Sequence, residues 1–198
     1  MRMNHFVYLA SQSPRRRQLL EQIGVRYELL LASADEDAES LEAMLPGEAP
    51  LTYVKRVTQL KLEAAVDRMK KRGLPPAPIL CADTTVALGR HILGKPTDDQ
   101  DALRILKLLS GKKHRVLTAV ALASKRKREI CVSASQVTFA PMTLAQMKSY
   151  VASGEPMGKA GAYGVQGLAA SFITEIKGSY SGIMGLPLFE TAQLLKQI

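Results

Sequence analysis

Apolar runs and segments of helical periodicity alternate along this chain, with turn residues between them. Short apolar runs that end at polar residues predict strands at 6–10, 27–31, 79–82 and near 172–176, and two longer strands at 114–123 and 130–140. Gly89 and Arg90 predict a hairpin turn between the apolar segments 86–88 and 92–93.

Helices are predicted by apolar residues three and four positions apart and by residues typical of helix ends. The first begins at Ser13 and Pro14, a long one spans about 51–72, and the last begins at Pro187. Two capping boxes are predicted to start further helices: Thr97–Gln100 for a helix reaching Leu109, with Leu103, Leu106 and Leu109 as its core face, and Thr143–Gln146 for one reaching about Val151.

Strands alternate with helices, but the hairpins exclude an all-parallel sheet. We therefore predict an α/β fold in which helices flank a central mixed sheet, in a single domain spanning 1–198. A chain of this length can bury a sizeable core and leaves room for two lobes.

Charge and composition narrow the classes of ligand. Lys and Arg number 27 against 18 Asp and Glu, and the net charge of +9 favours polyanions, either nucleic acid or free nucleotides. Aromatic residues make up only 5% and Trp is absent, so platforms for stacking single-stranded bases are poorly supplied. Cys81 and Cys131 lack metal-ligand spacing, and no apolar run fits a signal peptide or a membrane span; we expect two reduced thiols in a cytoplasmic protein.

The segment from Ser11 to Arg17, Ser-Gln-Ser-Pro-Arg-Arg-Arg, directly follows the first predicted strand. Ser13 as N-cap and Pro14 at the first helical position predict a helix start, whose unpaired N–H groups and dipole attract an anion. Arginines in a first turn oppose that dipole unless an anion lies among them. The segment therefore indicates either a phosphate site or a solvated basic surface.

Two carboxylates are candidates for chemistry. Asp83 follows the run 79–82, which predicts a carboxylate at the C-terminal end of a buried strand, where α/β proteins usually bind ligands. Such a group can take a proton from water or hold a divalent metal, although an Asp there also commonly caps a turn. Glu36, between Asp35 and Asp37, indicates either a solvated acidic loop or oxygen ligands for Mg²⁺.

Two lysines and a glycine-rich stretch complete the candidates. Lys61 lies within the predicted long helix, where a lone lysine is usually on the surface, whereas Gly94 and Pro96 set the backbone around Lys95, whose amine can reach a phosphate. The stretch 158–167 has too few side chains to fill a core and predicts backbone that approaches a ligand closely, with Tyr163 and Gln166 supplying shape and hydrogen bonds. It matches neither a Walker A loop nor a dinucleotide fingerprint.

Six segments, in order and over nearly the whole chain, resemble the Maf family of nucleotide pyrophosphatases. They are Leu9–Arg16, Ala82–Thr84, Gly94–Pro96, Leu109–Gly111 with His114, Val116 and Thr118–Val120, Lys159–Gly167, and Gly185–Pro187. The chain departs from the family pattern at Cys81, where relatives have a small Gly, and at Gly158, where many have an acidic residue.

The resemblance implies an α/β fold with a central mixed sheet and a cleft between two lobes, similar to inosine-triphosphate pyrophosphatase. It implies Mg²⁺- or Mn²⁺-dependent hydrolysis of a nucleoside triphosphate to the monophosphate and pyrophosphate, and it allows a homodimer. The form of the loop at 160–167 resembles the branch that acts on dTTP and UTP, not the branch that acts on 7-methyl-GTP.

By position, the resemblance also implies a role for each site residue. Asp83 is the implied proton acceptor and a metal ligand, and Glu36 is a carboxylate near the metal. The implied phosphate contacts are Ser11, Arg15, Arg16, Lys61 and Lys95, and the positions associated with base selection are Arg15, Thr84 and Gln166.

Two alternatives stay open. A basic nucleotide- or nucleic-acid-binding module without catalysis fits the charge and the basic runs, but it does not explain why Glu36 and Asp83 accompany the basic residues. We therefore expect a small nucleotide, and not a nucleic acid, as the ligand. A regulatory role in cell division, with catalysis secondary, leaves no trace in the sequence that would test it.

Overall fold

The computed structural model describes residues 5–33, 36–37, 40–125 and 127–197. Within them, one mixed sheet has the strand order β2-β1-β3-β5-β6-β7, and β4 pairs with β3 off this path. The strands are β1 (Phe6–Leu9), β2 (Arg26–Leu29), β3 (Ile79–Leu88), β4 (His91–Leu93), β5 (Lys113–Ala123), β6 (Arg128–Phe139) and β7 (Ile173–Lys177).

Helices flank this sheet, which confirms the predicted mixed α/β class. They are α1 (Pro14–Gln22), α2 (Pro50–Lys71), α3 (Asp99–Leu109), α4 (Leu144–Ala152), α5 (Tyr180–Met184) and α6 (Leu188–Leu195), with short 3-10 turns at Ser40–Glu42, Ala160–Ala162 and Leu168–Phe172. None of the described helices is both long and apolar enough to cross a bilayer.

Strand β3 positions the site because it continues beyond its parallel neighbour. The register between β1 and β3 ends at Leu9 opposite Leu80, while the antiparallel ladder with β5 continues to Ala87 opposite Arg115. The prediction that a strand ends before Asp83 is therefore wrong: Asp83 lies inside β3, opposite Ala119. The backbone before and after Asp83 pairs with β5. On the other edge of β3, pairing with β1 ends at Leu80, so Asp83 lies where that edge of the sheet is open.

Alternation along β3 sends neighbouring side chains to opposite faces of the sheet. Cys81 belongs to the core beneath α2, whereas Ala82 packs with residues of α1 and α6 on the other face. Asp83 and Thr84 continue this alternation. The catalytic candidate and the base-selection candidate thus lie on opposite sides of one strand, at an edge open to both.

The core divides into regions that correspond to the two predicted lobes. The far part of the sheet, including Val86 and Val116, packs with α3, α4 and the glycine-rich stretch. The other core clusters surround β1 and the first half of β3, with α2 on one face and α1 and α6 on the other. The cleft opens between these regions.

Other sequence predictions need local correction. β2 begins and ends earlier than 27–31, and α5 was not predicted. The N-cap of α3 is Asp98, which accepts from the Asp101 amide at 2.7 Å, so the predicted Thr97 capping box is wrong by one residue; an Asp carboxylate competes well for this position. The Thr143–Gln146 capping box is confirmed. Asp35, named in the predicted acidic loop, lies outside the described residues.

Candidate active site

A cavity of about 510 Å³ opens beside the part of β3 that extends past β1. Of the nine residues predicted for the site, eight line this cavity: Ser11, Arg15, Arg16, Lys61, Asp83, Thr84, Lys95 and Gln166. They come from α1 and the loop before it, α2, β3, the segment after β4, and the glycine-rich stretch. The tertiary structure therefore gathers residues that are up to 155 positions apart in the sequence, Ser11 and Gln166 being the extremes.

One wall of the cavity carries alternating charges. The Lys61 ammonium, from α2, lies 2.6 Å from Asp83 Oδ1 and 2.6 Å from Glu42 Oε1. Lys95 approaches the second oxygen of Glu42, Oε2, at 2.8 Å. Asp83 is 9% exposed and lines the cavity, so this carboxylate is held at the edge of the core. Together these residues form a carboxylate–ammonium network, which we define as Asp83, Lys61, Glu42 and Lys95.

Opposite charges within the network shift the pKa values of two of its members, Lys61 and Glu42. Burial disfavours the charge on Lys61, but the carboxylates of Asp83 and Glu42 outweigh it and raise the pKa of the ammonium. Burial likewise disfavours the charge on Glu42, yet Lys61 and Lys95 lower the pKa of this carboxyl overall. At neutral pH this wall thus presents the charged ammonium of Lys61 beside the ionised carboxylate of Glu42.

The opposite wall is built by the two arginines of the first turn of α1. Arg15 Nε donates to the Met184 carbonyl at 3.3 Å, and Arg16 Nε donates to the Gly185 carbonyl at 2.7 Å. These carbonyls come from the C-terminal end of α5, where the helix dipole is negative, so the arginines have a favourable anchor in the fold itself. Burial, and then the charge of Arg16, lower the pKa of Arg15.

The glycine-rich stretch that carries Gln166 is fastened by Glu155. Its carboxylate accepts from the Leu168 amide at 2.8 Å and from the Tyr150 hydroxyl at 2.8 Å. A Cβ placed at Gly167 would lie only 2.3 Å from Glu155 Oε2, so the carboxylate takes the space that any other residue would fill. Because Gly167 has no side chain, the Glu155 carboxylate packs directly against the backbone of this stretch, which lines the cavity.

A buried pair holds the other end of this stretch. His114 Nε2 and the Tyr163 hydroxyl are 2.8 Å apart, and burial lowers the pKa of His114 to about 4. His114 is therefore neutral at physiological pH. At Gly161, φ is +72°, and an added Cβ would lie 2.8 Å from Val86 side-chain atoms. The glycine backbone thus packs closely against the sheet at Val86, and its predicted close approach to a ligand stays a prediction.

Glu36 is the one predicted site residue that does not line the cavity. Its carboxylate accepts from Arg68 Nε at 2.9 Å and from Arg68 Nη2 at 2.6 Å, and also from the Ser33 hydroxyl at 3.0 Å. Arg68 in turn donates to the Leu30 carbonyl. The bonds to Arg68 lead the effects that lower the pKa of Glu36 to about 2. In this arrangement Glu36 ties the loop after β2 to α2.

We expect Glu36→Gln to be less stable than the wild type by about 1–2 kcal/mol at pH 7, allowing for solvent screening of a side chain that is 29% exposed. Because the folded carboxyl has a depressed pKa, this stabilisation is complete above the unfolded pKa of about 4.5 and is lost as the pH falls towards 2. Urea unfolding at pH 7, 5 and 3.5 measures the difference. Equal stability of the two proteins at pH 7 would contradict the structural role.

Several cavity residues escaped the sequence analysis. Glu42 lies in a 3-10 turn with no motif around it, although its neighbour Glu36 drew attention to the same loop. Arg68 and Lys159 also line the cavity. Lys159 belongs to the glycine-rich motif and directly follows Gly158, so its charge was a signal for a further anion contact. Burial, and then the charge of Arg15, lower the pKa of Lys159.

The carboxylate pair of the network fits a hard divalent cation. Asp83 and Glu42 each offer an oxygen to the same ammonium, so a positive charge already lies between them. No cluster of three or more His, Cys, Asp or Glu suited to a metal occurs among residues 5–33, 36–37, 40–125 and 127–197. This donor set suits Mg²⁺, which commonly uses one or two carboxylates together with substrate phosphates and water.

A family model described as "Maf-like protein" matches residues 6–198. The chain belongs to this family. It is 69% identical to the "dTTP/UTP pyrophosphatase" of Albidiferax ferrireducens, over 98% of this chain and 97% of that protein. Identity to the proteins of the same name from Polaromonas sp. and Cupriavidus pinatubonensis is 68% and 63%, over 96% and 98% of this chain and 95% and 98% of theirs. The predicted family resemblance is confirmed.

Among solved structures, this chain is similar to the Ham1 protein of Staphylococcus aureus. The TM-score is 0.42 and the identity 12%, over 69% of this chain and 72% of that one.

Proposed function

We propose that this protein is a nucleoside triphosphate pyrophosphatase that hydrolyses dTTP and UTP to the monophosphate and pyrophosphate. The observation that carries the proposal is the network of Asp83 and Glu42 with Lys61 and Lys95 on one wall of a cavity whose other wall holds two arginines. The names of relatives 63–69% identical over nearly their full length support the substrate class.

The cations of the cavity suit a triphosphate, which carries about four negative charges near neutral pH. Lys61 and Lys95 would neutralise the phosphate chain from one side and Arg15 from the other, with Ser11 and Arg16 at the start of α1. To bind, phosphate oxygens must replace the Glu42 carboxylate on the two lysines. Electrostatic stabilisation of the departing pyrophosphate is the larger part of catalysis in such reactions.

Asp83 is the proposed base. A water attacks the α-phosphorus, its proton passes to the Asp83 carboxylate, and the bond from the α-phosphorus to the oxygen bridging it to the β-phosphorus breaks, so that pyrophosphate leaves with the electron pair. Lys61 orients Asp83 through its 2.6 Å contact, which holds the carboxylate at the cavity. Hydrogen bonding from a fixed cation orients a carboxylate in this way.

Mg²⁺ or Mn²⁺ is the proposed cofactor, held by Asp83 and Glu42 together with substrate oxygens. When bound, the ion supplies charge neutralisation on the phosphate oxygens. Glu36, implied by family position as a metal carboxylate, would first have to leave Arg68. The preference for Asp83 with Glu42 therefore rests on which carboxylates already face the cavity.

A panel of nucleotides tests the function. With Mg²⁺ present, we expect pyrophosphate release from dTTP and UTP with a kcat/KM at least about tenfold above that for CTP, GTP and 7-methyl-GTP, because base contacts in the cavity must discriminate. Chelation of the metal should stop the reaction, and Mg²⁺ or Mn²⁺ should restore it. No release from any nucleotide, together with tight and salt-sensitive DNA binding, would instead favour the basic binding module.

Base selection belongs to the same proposal. Arg15, Thr84 and Gln166 all line the cavity and would offer donors and an acceptor to the edge of a pyrimidine. A cytoplasmic location stays a prediction from composition, and a homodimeric state stays a prediction of the family resemblance. Size-exclusion chromatography with light scattering would measure the oligomeric state directly.

A further inference from the structure

A pair of hydroxyls on adjacent strands lies behind the wall that is proposed to read the base. Thr84 on β3 pairs in register with Thr118 on β5, and their Oγ atoms are 3.0 Å apart. Thr84 is half-buried and lines the cavity, whereas Thr118 is 0% exposed. Thr118 therefore cannot touch a ligand itself and can act only through its neighbour.

The direction of the hydrogen bond between the two threonines follows from a third group. Thr118 Oγ lies 2.7 Å from the carbonyl oxygen of Gly182, on α5. A carbonyl oxygen can only accept a hydrogen bond, and a hydroxyl has a single proton. Thr118 therefore donates its proton to the Gly182 carbonyl. Thr118 can then only accept from Thr84, and the proton of Thr84 is directed into the protein.

The exposed side of Thr84 is consequently an acceptor. Its single proton is committed to Thr118, and one of its two lone pairs accepts from Arg16 Nη2 at 3.5 Å. The other lone pair can face the cavity. A Cβ added at Gly182 would lie 3.1 Å from Ser179 Cβ and 3.2 Å from Ser133 Oγ. Gly182 is therefore closely packed, which holds its carbonyl in place.

We propose that Thr118 is a positioning residue for base selection: it fixes Thr84 as a hydrogen-bond acceptor, so that the pocket takes a base with an N–H donor at that edge. Uracil and thymine carry such a donor at N3, whereas N3 of cytosine is an unprotonated acceptor. This inference rests on the proposed function and specifies how the same cavity separates UTP and dTTP from CTP.

The relay is effective because its alternative is costly. For Thr84 to turn its proton towards cytosine N3, it must leave the Thr118 oxygen without a donor in a fully buried position. If it does not turn, two lone pairs face each other in a partly desolvated pocket. Either outcome leaves a polar group unpaired, which disfavours the wrong base by about tenfold or more.

The first test removes the relay without touching the cavity surface. Thr118→Val has nearly the same shape and no hydroxyl, and Thr118→Ser keeps the hydroxyl. We expect the ratio of kcat/KM for UTP over CTP to fall at least about tenfold in Thr118→Val and to stay near the wild-type value in Thr118→Ser. Because both substrates are measured on one protein, a loss of folded enzyme cancels from the ratio. An unchanged ratio in an active Thr118→Val enzyme would overturn the proposal.

A second test uses the wild type and is independent of how the variants fold. The N3–H of 5-fluoro-UTP is more acidic than that of UTP, while the two nucleotides differ by one small substituent. If Thr84 accepts from N3–H, kcat/KM for 5-fluoro-UTP should fall at a lower pH than that for UTP, because the ionised base has lost its donor. Coinciding pH profiles would refute an acceptor at this position.

The two levels of inference fail differently. Absence of pyrophosphate release from UTP would refute the proposed function as a whole. Release from UTP with unchanged base ratios and coinciding pH profiles would leave the function standing and refute only the role of Thr118.

Discussion

Asp83→Asn is expected to lower kcat for pyrophosphate release from UTP by about 10³-fold or more, while nucleotide binding survives. Loss of a general base typically costs about 10²–10⁴-fold, and the amide cannot take the proton of the attacking water. Asn keeps the size of the side chain, and Lys61 remains in place for the phosphates. Rates come from pyrophosphate release, and binding from the increase in melting temperature with a non-hydrolysable UTP analogue.

Glu42→Gln is the matched comparison for that variant. Both substitutions replace a carboxylate with an amide 2.6 Å from the same Lys61 ammonium, so each removes one negative charge from the network. Only Asp83→Asn removes the proposed base. We expect Glu42→Gln to act mainly on the Mg²⁺ concentration needed for half-maximal activity, with a much smaller fall in kcat. If Asp83→Asn retained a tenth or more of wild-type kcat, Asp83 would not be the proton acceptor.

Lys61→Met is expected to lower kcat/KM by about 10²–10³-fold, the usual cost of removing one preorganised group that stabilises developing charge. The variant keeps an unbranched side chain of similar length on α2 but leaves Asp83 and Glu42 facing each other without the cation between them. The variant also removes one of the two lysine charges that would contact the triphosphate on this wall, so that Lys95 is the remaining cation of the network. Steady-state kinetics with UTP and chemical denaturation separate the catalytic loss from any loss of stability.

Lys55→Met serves as the control, because Lys55 lies on the exposed side of the same helix. It makes the same chemical change, with the same effect on helix propensity and net charge, away from the cavity. Its kcat/KM should stay within about twofold of the wild type, since an isolated surface charge contributes little. An equal loss in both lysine variants would show that overall charge, and not the network, accounts for the effect.

Much of this site could be predicted from local sequence because its parts sit at ends of predictable elements. The segment after the first strand starts a helix and contains Ser11, Arg15 and Arg16. The composition of the glycine-rich stretch predicts that its backbone approaches a ligand closely. These features depend on neighbours within a few residues. The family motifs add order along the chain, which is why they pointed to eight residues that line one cavity.

The roles of other site residues could not be predicted from the neighbouring sequence, because these roles depend on contacts with residues far away in the chain. Lys61 has the pattern of a surface lysine and becomes central only because α2 packs on the face of β3 that carries Asp83. Glu42 stands in no motif, whereas Glu36, which stood out by its acidic neighbours, is bound by Arg68. The end of the strand at Asp83 was predicted wrongly because the polar residues 83–85 look like a turn until β5 supplies their backbone partners.

Residue periodicity, composition and ordered motifs were enough to predict most of the strands and helices, the excess of positive charge and the family to which the chain belongs. Three properties depend on the packing of distant segments: which carboxylates share the Lys61 ammonium, the side of β3 on which each residue lies, and the direction of the Thr84 hydroxyl. Those properties arise from contacts between segments far apart in the chain. A hydrogen bond such as Thr118 to Gly182 has no counterpart in either segment until the two are packed together.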